Sequence, residues 1–211
     1  MSTLESRVSA AALARAVDWV RGQIRKDREN RYSLVRDWTL PACTCSWWPD
    51  DIGSWESDLL RIVRNAPGVV TITIKAYHST AADNICDGAT LSPDNIPGII
   101  PAAIWHDPWY YASPLDGVKT FEALALLFGI SPHVTRKFGD QLFYSIARAA
   151  GCPRVVAALY YAGIRVGYPL ARPFLLVTLC LGLGAGVAGC FSDGTFLDPT
   201  AYTPPQWEKV Q

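Results

Sequence analysis

The stretch Ile104-Trp105-His106-Asp107-Pro108-Trp109-Tyr110 sets an imidazole beside a carboxylate in a dense aromatic setting, and Asp140 opens a later apolar run, Gly139-Asp140-Gln141-Leu142-Phe143-Tyr144. Histidine titrates near neutral pH, and a carboxylate on one ring nitrogen fixes its tautomer, so a His-Asp pair is a common way to build a general base. Carboxylate oxygens also suit a hard metal ion. The competing reading is structural: His106 is a buried histidine hydrogen-bonded to Asp140, and Asp107 caps a helix. Both readings expect His106 and Asp140 within hydrogen-bond reach, about 3 Å.

Two separate helices must hold these residues. Residues 101–111 read as a helix interrupted at Pro108, and residues 119–128, 132–151 and 153–166 as helices, each bounded by Pro or Gly. Residues 69–75, Val-Val-Thr-Ile-Thr-Ile-Lys, are the clearest strand, framed by Pro67-Gly68. Residues 31–40 alternate enough for a strand, and residues 41–58 read as irregular, with Trp47, Trp48 and Trp55. Residues 78–101 hold Gly88, Pro93, Pro97, Gly98 and Pro101 and read as a long loop. The expected fold is α+β: a small antiparallel sheet beside a helix-dominated half over residues 101–168. Residues 4–30 carry Leu4, Val8, Ala11, Val17, Val20 and Ile24 at roughly helical spacing and read as one amphipathic helix. It is either a domain helix with one solvated face or an interfacial or partner helix. The resulting division is an N-terminal helix over 1–30, a core domain over 31–168, an apolar segment over 173–190 and a flexible tail over 191–211.

Composition narrows the function class. The chain has 211 residues, 19 Lys+Arg against 19 Asp+Glu, and only 18% charged residues. Zero net charge argues against a general nucleic-acid binder. Eight Trp and nine Tyr favour interfaces of all kinds, membrane surfaces included. Six cysteines, Cys43, Cys45, Cys86, Cys152, Cys180 and Cys190, do not form a zinc array, because Cys43-Thr44-Cys45 is too short a spacing and no second pair follows. No N-terminal signal peptide points to an oxidising compartment, so reduced structural thiols are expected. His78 and His133 sit at loop and helix-start positions with no chemistry implied.

Residues 173–192 contain no charge, a length that just spans a bilayer as a helix, and Gly182, Gly184, Gly186 and Gly189 suit a membrane helix. A buried core helix is the alternative. Arg165 and Arg172 before the segment and Asp193 after it would keep the core domain on the cytoplasmic side of a bacterial host membrane. Val187-Ala188-Gly189-Cys190 is similar to a lipoprotein lipobox, which would place a lipid on Cys190, although a lipobox normally lies near an N-terminus.

The motifs in order are Cys86-Asp87-Gly88-Ala89-Thr90 with Pro93, then His106-Asp107 with Tyr110, then Gly139-Asp140 with Phe143, then Tyr160-Tyr161 with Arg165 and Gly167. Over roughly residues 60–168 this order resembles a domain-of-unknown-function family of tailed phages and prophages, with its DG-A-S/T-x-P loop, HD-x-x-Y helix and later AD helix. Gly139 stands where that family has Ala. The family supplies no activity. A looser similarity is to secreted phospholipase A2 enzymes. It implies that His106 activates water, that Asp140 orients the His106 ring, and that Tyr110 hydrogen-bonds Asp140. It also implies calcium on Asp107 and the loop carbonyls near Asp87 and Gly88. Trp105 and Trp109 stand where the phospholipases have disulfide cysteines, which departs from that pattern.

Two functions follow as expectations. One is a membrane-anchored phage protein with a calcium-assisted His-Asp hydrolase site for lipid or another envelope ester or amide. The other is a non-enzymatic phage structural or host-envelope interaction protein, in the virion or the host membrane, whose His-Asp core only joins two helices.

Overall fold

The computed structural model describes residues 9–28, 31–78, 96, 98–112 and 117–166. The N-terminal element α1 runs Ala10–Arg21 and is opened by Ser9, whose hydroxyl accepts from the Ala12 N–H. The helix expected over residues 4–30 therefore stops early. Gly22 and Gln23 close it through N–H bonds to Trp19 and Val20 carbonyls, and Ile24–Arg28 is a strand, β1. Val20 and Ile24 are both buried, so the same core accepts the chain before and after the turn. The amphipathic face of α1 is used inside the domain, where Leu13, Val17 and Val20 are buried.

β1 pairs antiparallel with β2 (Arg31–Leu34), and Leu34 bridges to Tyr77. The stretch 31–40 is thus two strands, β2 and β3 (Trp38–Thr39). Within 41–58, read from sequence as irregular, lie two short strands, β4 (Cys43–Thr44) and β5 (Ser54–Glu56). The hairpin β6 (Leu60–Ala66) and β7 (Val69–Ile74) forms the middle of a five-stranded antiparallel sheet. Its order is β3-β7-β6-β5, with β4 also on β7. Pro67-Gly68 makes the turn, and Gly68 takes φ 65, a left-handed conformation that favours glycine. The β-branched run alternates as expected. Val70, Ile72 and Ile74 face the core, joined by Leu60 and Ile62 from β6.

The helical half follows as α2 (Ile99–Tyr110), α3 (Thr120–Phe128), α4 (Pro132–Ala149) and α5 (Arg154–Val166). The expected α+β architecture, a small antiparallel sheet with a helical half, is the one observed. α2 is buried on most sides, from Ile99 to Trp109, which explains its lack of a polar face. Pro108 lies inside α2 without ending it. α4 is the centre of the half and packs against α1, α2, α3 and α5. Arg21 donates to the Ala150 carbonyl, which ties α1 to the end of α4. Trp38 Nε1 donates to the Ala16 carbonyl at 3.1 Å and ties the sheet to α1.

Among the described residues no helix is long and apolar enough to cross a membrane. The apolar segment 173–190, the tail 191–211 and the lipobox-like Cys190 lie outside the described residues.

Candidate functional site

α2 and α4 cross with little between them. Gly139 provides the close approach. Trp105 Nε1 donates to the Gly139 carbonyl at 2.9 Å, and a Cβ at Gly139 would overlap the Trp109 indole. Trp105 and Trp109 stack with ring centroids 5.4 Å apart, and Trp109 rests on Phe138. The crossing is filled by two indoles, and glycine is the residue that makes room for them.

This packing brings Tyr110 and Asp140 together. Asp140 is fully buried. Tyr110 Oη donates to its Oδ1 at 2.6 Å, the hydrogen bond implied by the phospholipase similarity. The other oxygen is held by arginine: Arg165 Nη1 of α5 donates to Oδ2 at 3.0 Å, and Arg136 Nε lies 3.9 Å from it. Arg136 Nε also donates to Tyr110 Oη at 2.9 Å, and its Nη2 donates to the Ile164 carbonyl at 2.6 Å. Arg165 Nη2 lies 3.2 Å from His133 Nε2. One buried carboxylate is thus satisfied by α2, α4 and α5 at once, and charged hydrogen bonds of this kind are the strong ones. Burial, and then the Asp140 carboxylate, push the Tyr110 phenol above its ordinary value.

The expected His106–Asp140 hydrogen bond is not formed. Tyr110 stands between them: the His106 ring stacks on the Tyr110 ring at 4.2 Å and 25°, with Phe143 edge-on at 5.5 Å. A turn of helix separates His106 from Tyr110 on one face, and the tyrosine, with the longer reach, takes the carboxylate. His106 Nδ1 lies 3.4 Å from Asp107 Oδ1, a long contact between chain neighbours. His106 Nε2 is buried and meets no hydrogen-bond partner among the described residues. The side chains of His106 and Asp107 are 19% and 20% exposed, neither sealed nor open. Asp107 sits in the last turn of α2, so it does not cap the start of that helix.

For a calcium ion the described residues give little. Calcium takes roughly six to eight oxygens, and among the described residues no three His, Cys, Asp or Glu gather to hold a metal. Asp107 is the one member of the expected ligand set that is described; Asp87 and Gly88 lie outside the described residues. Cys43 and Cys45 are free buried thiols in the sheet core, both pushed above the ordinary thiol value by burial, Cys43 to about 12.

Sequence reasoning found Tyr110 and Asp140 and placed Arg165 in the motif order and as a flanking charge, but gave Arg136, Arg165 and His133 no part in the Asp140 site. Arg136 carries a visible signal, since it precedes Asp140 by four residues on one helix. Arg165 carries none, because its contact depends on how α5 folds back. Comparison with family models, curated proteins and solved structures finds no match for this chain.

Proposed function

We propose that this chain is a membrane-anchored, non-enzymatic interaction protein of the tailed-phage or prophage kind, whose Asp140 network locks three helices rather than serving a reaction. The observation that carries this reading is the occupancy of Asp140: Tyr110 takes one oxygen and Arg165 the other, so Asp140 does not orient His106, which meets only the long 3.4 Å contact from its neighbour Asp107. The phage resemblance over residues 60–168 supplies the biological setting. The uncharged residues 173–192 supply the anchor, a transmembrane helix that leaves the core domain cytoplasmic.

One observation favours the hydrolase as a second reading. The buried Nε2 of His106 meets no partner among the described residues, and a ring nitrogen in that state suits a water or a substrate proton. The two readings separate on paired measurements of the full chain in detergent. Asp140→Asn should lower stability by about 2–4 kcal/mol, short of the fully buried range because both arginines keep some water contact. His106→Ala should change nothing but packing, and the wild type should turn over neither phospholipid nor peptidoglycan, with or without calcium. Hydrolysis by the wild type that His106→Ala abolishes, with an unchanged melt, would establish the enzyme instead.

A further inference from the structure

Among the described residues the exposed large apolar side chains are Trp19, Val35, Leu126, Leu127, Val134 and Val155. Three of them fall within residues 126–134, the corner between α3 and α4: Leu126 is 81% exposed, Leu127 54% and Val134 39%. The core does not need them, since α3 buries Phe121, Leu124 and Ala125 on its inner side. A concentration of exposed apolar residues on one corner marks a contact surface.

The position of the corner says what covers it. The last turn of α5 is fastened to the first turns of α4, by Arg136 Nη2 to the Ile164 carbonyl at 2.6 Å and by Arg165 against His133 at 3.2 Å. The chain therefore leaves the helical half at Val166, beside the α3–α4 corner. The uncharged stretch begins at Pro173, seven residues on, and at most about 25 Å away when fully extended. A bilayer that receives this stretch lies within reach of the corner. Charge at the corner is consistent with that neighbour. The start of α4 carries His133 and exposed Lys137, and Arg172 precedes the apolar stretch, against Glu122 four residues before Leu126 on α3; Arg136 is held by Tyr110 and the Ile164 carbonyl, and Asp140 is buried between arginines. Lys137 and Arg172 beside apolar residues suit an anionic lipid face.

We infer that the α3–α4 corner, led by Leu126 and Leu127, docks into the headgroup layer of an anionic bilayer beside the point where the chain enters it. This rests on the membrane-anchor reading above. Val155, 71% exposed, lies at the opposite end of α5, roughly 15 Å from Arg165 along the helix axis. It stays in water if the corner is the docking surface.

The test places photoreactive benzoylphenylalanine at position 126 or 155 of the full chain, reconstituted in nanodiscs of phosphatidylethanolamine and phosphatidylglycerol. After illumination, mass spectrometry reads the adducts. Lipid adducts from position 126 and none from 155 are expected, and doubly substituted Leu126→Glu/Leu127→Glu chain should keep its melting temperature, since neither side chain is core. If the chain co-isolates with the discs yet position 126 gives no lipid adduct, or crosslinks to a second copy, docking is overturned while the anchor stands. A chain that elutes apart from the discs removes the anchor and the docking together.

Discussion

Gly139 and Trp109 form one fitted unit at the crossing of α2 and α4, because a Cβ at position 139 would overlap the indole. Gly139→Ala should therefore destabilise the chain by about 1–3 kcal/mol, against the gain of about 1 kcal/mol that alanine ordinarily brings over glycine in a helix. Urea melts of Gly139→Ala in the wild type and in a Trp109→Leu background check this; the penalty should shrink once the indole is gone. A purely backbone origin would leave the penalty unchanged. Tyr110 gives a second prediction. Its phenol is held above the ordinary value by burial and by Asp140. Below pH about 10 both folded and unfolded chains keep that proton, and above it the unfolded chain releases it first. Stability should therefore fall as pH rises past about 10, and Tyr110→Phe should flatten the fall in urea midpoints between pH 9 and 11. The residues of this network were only partly legible in sequence. The HD-x-x-Y pattern and the later Asp140 identify which side chains meet, yet not that Tyr110 outcompetes His106 for the carboxylate. That outcome depends on side-chain reach across two crossed helices, which spacing along the chain does not encode.

At the scale of elements, the hairpin of β6 and β7 depends on Gly68 at φ 65, with open space around the missing side chain. Gly68→Ala should cost about 1 kcal/mol from backbone strain alone. Thermal melts should show that loss, and Gly68→Asn should recover part of it, since asparagine tolerates the left-handed region. The strand Val69–Ile74 and the helices α3 to α5 are readable from sequence because each is periodic and bounded by Pro or Gly, whereas α2, apolar on most sides, is marked only by its flanking Gly98 and its length. The exit from α1 was not readable. Val17, Val20 and Ile24 continue a helical period, but the chain turns at Gly22 and delivers Ile24 to the same core from a strand. The short strands β3, β4 and β5 span two or three residues and are defined by their partners across the sheet, so no local pattern could mark them.

For the whole molecule, detergent dependence is the direct check on the anchor: the full chain should fractionate with bilayers and resist extraction by high salt and alkaline carbonate. Another consequence concerns synthesis. Four helices lean on α4, and α1, although tied early to β3 through Trp38, meets the end of α4 only after more than a hundred further residues. The hairpin of β6 and β7, whose ends are near in sequence, can close at once. A fragment ending at residue 128 should thus hold a loose hairpin and an unsettled α1, readily cut by protease, whereas one ending at residue 166 should resist. On the membrane-anchor reading proposed above, α5 ends seven residues before the apolar stretch begins, so that stretch is already made when α5 leaves the ribosome, and folding and insertion would share that interval.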